Sequence, residues 1–171
     1  MNARDFATQR HKGQYRRSGD EYITHPTRVA TDVRDVKGRS KNIDDIESAA
    51  YLHDTLEDTE TTYDELVDEF GRNVADIVME LTSDKEEIKR VGKTPYLRNK
   101  MAGMSSYALV VKLADRLDNV RDLAQADHGW ALKYAQQTQD IIEYLIDNRE
   151  LSQTHLKLIN KINDKIAEAA L

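Results

Sequence analysis

The stretch SSYALVVKLADRLDNVRDL, residues 105–123, carries the pattern that decides the fold. Its large apolar residues return at intervals of three and four, which places them on one face of an α-helix. Either serine at its start can act as an N-cap, because the hydroxyl accepts a hydrogen bond from a backbone N–H of the first turn. The stretch therefore predicts a long amphipathic helix with an apolar face made of Leu109, Leu113, Leu117, Val120 and Leu123.

The same spacing recurs through most of the chain and predicts a protein built from helices. Residues 83–95 are polar and end in Gly-Lys-Thr-Pro, so we expect a connector there rather than a helix. No pair of strands is predicted. Proline, glycine or a capping residue marks several helix ends. The predicted helices are a short helix before Gly13 and the segments Pro26–Gly38, 43–56, Thr62–Gly71, 74–81, 106–123, 130–147 and 150–169.

The composition fits one all-α domain over residues 1–171, a helical bundle of about eight to ten helices. The absence of cysteine excludes disulfides, thiolate zinc sites and cysteine nucleophiles. No apolar run is long enough for a membrane span, and the N-terminus lacks the apolar core of a signal peptide, so we expect a cytoplasmic protein. A formal charge of −6 argues against non-specific binding to nucleic acid.

The string YLHDTLED, residues 51–58, is the most informative for chemistry. If one helix runs through it, His53 lies beside Glu57 and Asp54 beside Asp58, because residues four apart share a face. Four carboxylates fall within residues 54–60, close to a helix end whose dipole disfavours negative charge. A cation or a basic group would compensate this crowding, whereas the alternative interpretation is a solvated acidic helix end.

Two distant segments add further metal-ligating side chains. Asp115 directly follows an apolar run, and a buried carboxylate without a partner is unfavourable. His25 stands at the entry of a helix. Together His25, His53, Asp54 and Asp115 offer two imidazoles and two carboxylates, a set that suits one divalent ion such as Mn²⁺, with Fe²⁺, Co²⁺ and Zn²⁺ as alternatives.

The segment from residue 10 to residue 24 concentrates positive charge in an acidic protein. Arg16 and Arg17 follow three other basic side chains at positions 10–12. Arginine forks match phosphate oxygens, and Ser18 and Gly19 let the backbone approach a ligand closely. Tyr22 offers an aromatic face. These features indicate a polyphosphate-binding loop, although a solvated charged loop would show the same residues.

Four motifs in this order resemble the HD phosphohydrolase superfamily. They are HKGQYRRSGDEYITHP at 11–26, LHDTLEDT at 52–59, LTSDK at 81–85 and VKLADRLDN at 111–119. More narrowly, the chain is similar to the (p)ppGpp hydrolase domains of RelA/SpoT homologues, and especially to the stand-alone small alarmone hydrolases. The resemblance runs from about residue 3 to about residue 145 and implies an HD-type fold.

The resemblance also implies roles for individual residues. It implies that the loop of Arg16, Arg17 and Ser18 contacts the guanine base and the phosphates. It places Lys112 and Asn119 near the nucleotide, and Tyr134 in the nucleotide pocket, although the spacing after Trp130 is shorter than in the family. Asp122 stands where many relatives carry threonine, which leaves the choice between ppGpp and pppGpp open.

The expected reaction is metal-dependent hydrolysis of the 3′-pyrophosphate of ppGpp or pppGpp, giving GDP or GTP and pyrophosphate. Glu57 and Asp58, one turn beyond His53 and Asp54, are the catalytic candidates for handling the metal-bound water. The length leaves no room for a synthetase domain, and the oligomeric state stays open. Three alternatives remain: an HD phosphohydrolase acting on another nucleotide such as NADPH or a nucleoside phosphate, a catalytically silent alarmone-binding module, and a non-haem iron oxygenase.

Overall fold

The computed structural model describes residues 1–171, and it is all-α, as predicted from the sequence. It has eleven α-helices, a 3₁₀ turn at Leu123–Gln125 and one isolated β-bridge. The helices are α1 Ala3–Arg10, α2 Thr24–Lys37, α3 Ile43–Leu52, α4 Thr55–Asp58, α5 Tyr63–Phe70, α6 Arg72–Leu81, α7 Lys85–Val91, α8 Lys93–Gly103, α9 Ser106–Arg121, α10 His128–Asn148 and α11 Gln153–Glu168.

The chain divides into two compact units, Met1–Ser83 and Asp84–Leu171. The expectation of one domain over residues 1–171 stays a prediction. None of the helices in either unit combines the length and the apolar composition needed to cross a lipid bilayer.

In the first unit α3 is the central helix. It packs against α1, α2 and α6, and α5 covers α6. The buried side chains Val33, Ile46, Leu52 and Val78 come from these contacting helices. The capping box predicted at the start of α5 is present: Thr62 accepts from the Glu65 N–H, and the Glu65 carboxylate accepts from the Thr62 N–H.

The prediction of one helix from residue 43 to the acidic end is wrong, because the helix is interrupted at His53 and Asp54. α3 ends at Leu52 and α4 is a single turn that starts at Thr55. The Thr55 hydroxyl donates to the Leu52 carbonyl at 2.7 Å, which satisfies one acceptor at the end of α3. His53 and Asp54 therefore stand in a turn, and the one-face argument for His53 and Glu57 does not hold.

In the second unit α9 is the central helix. It packs against α11, and α10 packs against α8. Ser105 is its N-cap, since its hydroxyl accepts from the Ala108 N–H at 3.3 Å. Leu109, Leu113 and Leu117 are fully buried, as the apolar spacing predicted.

The connector predicted at residues 83–95 is wrong, because this segment forms α7 and the start of α8. Asp84 caps α7 by accepting from the N–H groups of Glu86 and Glu87. Gly92, with φ of 91°, separates the two helices. Pro95 lies in the first turn of α8, where a missing N–H costs no intrahelical hydrogen bond.

Candidate metal centre and nucleotide-binding residues

Three of the four predicted metal ligands come together in the first unit. His25, His53 and Asp54 each offer one ligand atom, and these atoms lie within 4.8 Å of one another. Asp54 Oδ2 is 2.9 Å from His53 Nε2 and 3.9 Å from His25 Nε2. Both histidines are almost completely buried, whereas Asp54 is partly exposed. Two imidazole nitrogens and one carboxylate oxygen are therefore close enough together to bind the same metal ion.

Each of the two histidines makes a hydrogen bond with nearby backbone. His25 is the second residue of α2, and its N–H donates to the Tyr22 carbonyl at 3.0 Å. The rings of His25 and His53 meet edge to face, with centroids 5.2 Å apart. The turn after α3 directs His53 back onto the helix end, where its Nδ1 lies 2.7 Å from the Ala50 carbonyl oxygen.

That contact determines which nitrogen of His53 carries the proton. A carbonyl oxygen can only accept, so Nδ1 is the protonated nitrogen of the neutral ring and the lone pair lies on Nε2. This lone pair faces Asp54 Oδ2, a second acceptor, at 2.9 Å. Two acceptors at this distance require a proton or a metal cation between them. The donor set of two imidazoles and a carboxylate fits a divalent first-row metal ion.

Asp115, the fourth predicted ligand, belongs to the second unit and lies on α9. It is 9% exposed, which agrees with the expected burial. Its Oδ2 accepts a hydrogen bond from Lys112 Nζ at 3.1 Å, so the structure gives this carboxylate a cationic partner on its own helix. The role of Asp115 as a metal ligand stays a prediction.

The two catalytic candidates differ in exposure. Glu57 is half-buried, and its Oε1 accepts from the Ser83 N–H at 2.7 Å, which fixes the orientation of the carboxylate. Asp58 is exposed, and its backbone carbonyl accepts from Gln14 Nε2 at 2.9 Å. Both residues belong to α4, directly after the cluster, and their catalytic roles stay predictions.

The predicted substrate loop of Arg16, Arg17 and Ser18 is a tight turn in the first unit. The Arg16 N–H donates to the Asp20 carbonyl at 2.8 Å, and Gly19, with φ of 92°, reverses the chain. Ser18 Oγ donates to Asp20 Oδ2 at 3.1 Å. Arg17 and Ser18 are exposed and Arg16 is half-buried. Contact of this turn with a nucleotide stays a prediction.

The basic segment is smaller than the sequence suggested. Arg10 pairs with Glu65 at 2.6 Å, so its charge is compensated within the unit. His11 is buried, and this burial lowers the pKa of its imidazole. Lys12 is exposed like Arg17. Of the three basic side chains at positions 10–12, Arg10 is therefore paired and His11 is buried, which leaves Lys12 exposed.

In the second unit, Asn119 and Tyr134, two of the residues predicted to lie near the nucleotide, belong to a stack around the Tyr134 ring, whereas Lys112 pairs with Asp115. Asn119 Nδ2 donates to the Tyr134 hydroxyl at 3.0 Å. The Tyr134 ring lies between Trp130, stacked at 5.0 Å between centroids, and the Arg116 guanidinium at 4.3 Å. Desolvation raises the pKa of the Tyr134 hydroxyl. Whether Lys112, Asn119 and Tyr134 contact a nucleotide stays a prediction.

Two residues of these sites were missed by the sequence analysis. Tyr22 was assigned an aromatic face, but its hydroxyl donates to Asp54 Oδ2 at 2.5 Å, and nothing in the residue spacing indicated that contact. Arg116 was not singled out, although it follows Leu109 by seven positions and Leu113 by three, on the buried stripe of α9. That spacing places Arg116 on the apolar face of the helix and could have indicated that the arginine is buried.

The chain belongs to the HD domain family, HD_4, which matches residues 3–150. Among named relatives, it is 38% identical over 151 residues to guanosine-3′,5′-bis(diphosphate) 3′-pyrophosphohydrolase MESH1 of Danio rerio, covering 82% of this chain and 76% of the relative. It is 41% identical over 135 residues to the Homo sapiens protein of the same name, covering 77% and 73%. The resemblance stated from the motifs is confirmed.

Longer relatives and solved structures agree with this assignment. The chain is 34% identical over 150 residues to the guanosine-3′,5′-bis(diphosphate) 3′-pyrophosphohydrolase of Aquifex aeolicus, but these cover 82% of this chain and only 20% of that protein. The structure of a metazoan ortholog of SpoT that hydrolyses ppGpp superposes with a TM-score of 0.77 at 25% identity, covering 95% of this chain and 93% of the other. The similarity confirms the HD-type all-α fold.

Proposed function

We propose that this chain is a metal-dependent hydrolase that removes the 3′-pyrophosphate of ppGpp or pppGpp and releases GDP or GTP with pyrophosphate. The observation that carries the proposal is the convergence of His25, His53 and Asp54, whose ligand atoms lie within 4.8 Å of one another. The relatives of known name act on the same class of substrate. The proposal keeps the cytoplasmic location and the absence of a nucleic-acid partner that the composition suggested.

The metal would be held by His25, His53 and Asp54, with Asp115 as the proposed fourth ligand. A divalent ion, when bound, lowers the pKa of a coordinated water and polarises the phosphoryl group. The donor set mixes nitrogen and oxygen without sulfur, which suits Mn²⁺, Fe²⁺, Co²⁺ or Zn²⁺, and we propose Mn²⁺ as the first ion to test. Titration of the metal-free Asp115→Asn variant with Mn²⁺ tests the fourth ligand, and unchanged affinity would remove Asp115 from the set.

In the proposed reaction, water attacks the phosphorus attached to the ribose 3′ oxygen. The bond between that phosphorus and the 3′ oxygen breaks, pyrophosphate leaves with the attacking oxygen, and the 3′ oxygen takes up a proton. The Ser83 N–H holds Glu57 Oε1, so Glu57 Oε2 is the oxygen that accepts the proton of the water. Asp58, at the end of the same turn, is the candidate for assisting the leaving oxygen.

The charge of the substrate is met by the turn at residues 16–18. Arg16 and Arg17 carry guanidinium groups that match phosphate oxygens in a bidentate way and balance negative charge as it develops. The backbone of the turn is fixed by its own hydrogen bonds, so the two arginines are presented from a defined loop. Lys112, Asn119 and Tyr134 are proposed to lie near the nucleotide.

The test is a pyrophosphate-release assay on ppGpp with Mn²⁺, with and without a chelator. We expect one pyrophosphate per GDP, loss of turnover with chelator, and recovery on adding Mn²⁺. GTP, NADPH and a nucleoside monophosphate run as parallel substrates, and faster turnover of any of them than of ppGpp would replace the proposed substrate. Binding of ppGpp without turnover at saturating Mn²⁺ would instead indicate a silent binding module.

A further inference from the structure

The hairpin that carries Arg16, Arg17 and Ser18 is closed at its base by two residues that face each other. Tyr15 and Glu21 form an antiparallel bridge, and the Tyr22 N–H donates to the Gln14 carbonyl at 2.9 Å. Opposed residues of an antiparallel pair project from the same face. The side chains of Gln14 and Tyr22 therefore leave the hairpin base on one side.

Both of these side chains reach the segment that bears the metal ligands. Gln14 Nε2 donates to the Asp58 carbonyl at 2.9 Å, and Tyr22 Oη donates to Asp54 Oδ2 at 2.5 Å. Asp54 and Asp58 bracket α4, since one precedes its first residue and the other ends it. The basic hairpin is thus attached to both ends of the turn that follows His53.

The orientation of the Tyr22 ring is restricted by two buried imidazoles. Its centroid lies 4.9 Å from that of His11 and 5.9 Å from that of His25. His11 is itself fixed: the Gln14 amide nitrogen donates to Asp58, so Gln14 Oε1 is the acceptor that meets His11 Nδ1 at 2.9 Å. Tyr22 has no room to turn its hydroxyl away from Asp54 without disturbing this packing.

We propose that Tyr22 is a positioning residue that holds the Asp54 carboxylate for metal binding and links the basic hairpin to the metal centre. Its hydroxyl contacts Oδ2, the oxygen that faces both His25 and His53. A carboxylate oxygen has two lone pairs, so one accepts from the phenol while the other is directed at a cation. The inference rests on the metal-binding part of the proposed function and needs no particular nucleotide.

The test compares Tyr22→Phe with Tyr15→Phe, a matched loss of one phenol hydroxyl from the same hairpin. Tyr15 is 64% exposed and lies outside the cluster contacts described above. The metal-free chains of residues 1–171 are titrated with Mn²⁺ by calorimetry without nucleotide. We expect Tyr22→Phe to bind Mn²⁺ about 10–100-fold more weakly, as removal of a hydrogen-bond partner of a metal ligand generally does. Tyr15→Phe is expected to bind like the wild type.

Two further readouts separate positioning from loss of structure. The melting temperature of metal-free Tyr22→Phe should fall by only about 1–6 °C, the effect of one lost hydrogen bond, because the ring and its packing are retained. If the proposed hydrolysis occurs, raising Mn²⁺ should return kcat of Tyr22→Phe towards the wild-type value. Equal Mn²⁺ affinity of Tyr22→Phe and the wild type would overturn the inference. Failure of every chain to hydrolyse ppGpp would overturn the proposed function alone, since the Mn²⁺ titration is read without substrate.

Discussion

The metal cluster of the first unit and the Arg116–Tyr134 stack of the second unit both bury polar side chains, but they satisfy them differently. In the stack, donors meet acceptors: Arg116 Nε donates to Thr138 Oγ1 at 3.0 Å, and Asn119 donates to the Tyr134 hydroxyl. In the cluster, two imidazoles and a carboxylate converge, and Asp54 Oδ2 lies 2.9 Å from His53 Nε2. The stack pairs donors with acceptors, whereas the cluster gathers three atoms that can all bind one metal ion.

The difference bears on metal binding. Buried donors and acceptors that pair within the stack contribute to the stability of the fold. The cluster instead offers nitrogen and oxygen atoms that a metal ion can join. A ligand that binds only the folded state adds stability as its concentration exceeds its Kd. We therefore expect a metal ion to stabilise the protein through the cluster and not through the stack.

The largest effect is expected from Asp54→Asn, which removes the carboxylate of the cluster. We expect Mn²⁺ affinity to fall by about 100-fold or more. Loss of a residue that only hydrogen-bonds to a metal ligand already lowers metal affinity by about 10–100-fold. Hydrolysis should be lost with it. An asparagine amide can donate to His53 Nε2, so the metal-free fold should be preserved.

Melting temperatures with and without Mn²⁺ check this prediction. Mn²⁺ at about 100 times its Kd should stabilise the wild type by about 2.7 kcal/mol, and Asp54→Asn by far less. Asp68→Asn is the matched control, because it replaces a carboxylate with an amide at an exposed position of α5. It should behave like the wild type. Equal stabilisation of wild type and Asp54→Asn would contradict the assignment of the cluster as the metal centre.

The next largest effect is expected from Glu57→Gln, which separates metal binding from turnover. The amide oxygen can still accept from the Ser83 N–H, but the side chain no longer takes up a proton. We expect kcat to fall by about 10²–10⁴-fold, as for a lost general base, with Mn²⁺ affinity within a factor of about two. Glu69→Gln, an exposed change on α5, is the control, and full turnover by Glu57→Gln would remove Glu57 from the mechanism.

A smaller effect, on stability, is expected from Arg116→Met. The change removes the hydrogen bonds to Gln137 and Thr138 and the contact with the Tyr134 ring. We expect the free energy of unfolding to fall by about 1–3 kcal/mol in urea titrations. Mn²⁺ affinity should not change. Lys157→Met, an exposed change on α11, controls for the lost positive charge.

A coincident loss of Mn²⁺ affinity in Arg116→Met would show that the contrast between cluster and stack is not real. In that case the stack around Tyr134 would contribute to metal binding as well as to stability. An unfolding free energy equal to that of Lys157→Met would instead show that the stack adds little to the fold.

The smallest effect is expected from Tyr134→Phe and depends on pH. Desolvation raises the pKa of the folded tyrosine above its ordinary value of 10.0, so the unfolded chain loses this proton first as pH rises. The stability of the wild type then falls above about pH 10, and this part of the loss is absent in the variant. At neutral pH the variant is expected to be less stable by about 0.5–1.5 kcal/mol, the value of one hydrogen bond.

Urea unfolding of both chains at several pH values between about 8 and 11 measures this difference. The deficit of Tyr134→Phe should shrink as the pH increases. A deficit that stays constant over this range would mean that the Tyr134 hydroxyl ionises equally well in the folded and unfolded chains.

Much of the fold followed from spacing, but helix breaks did not. The apolar stripe of α9 and the capping box at Thr62 are local patterns and were predicted correctly. The break at His53 was not predicted, because the string around it has no glycine or proline and its end is fixed by the Thr55 hydroxyl. The helix at Lys85–Val91 was missed because its charged residues need no buried face, only the Asp84 cap.

The candidate site was predicted in its residue types and only partly in its contacts. His25, His53 and Asp54 were chosen as ligands from the sequence, and they converge. The contact between Tyr22 and Asp54 joins residues 32 positions apart, and a distance of this kind is not encoded in local periodicity. Arg10 was counted in the basic segment, and its pairing with Glu65 depends on how α1 and α5 come together.

By itself, the sequence determined that the chain is helical, where most helices lie and which side chains could bind a metal. These properties depend on neighbours three or four residues away and on the chemistry of single side chains. Tertiary structure alone decided that His53 offers Nε2, that Tyr22 holds Asp54, and that Arg116 is buried against Tyr134. Those outcomes depend on which polar groups from distant segments become neighbours in the fold. Once water is excluded, these groups form hydrogen bonds with one another.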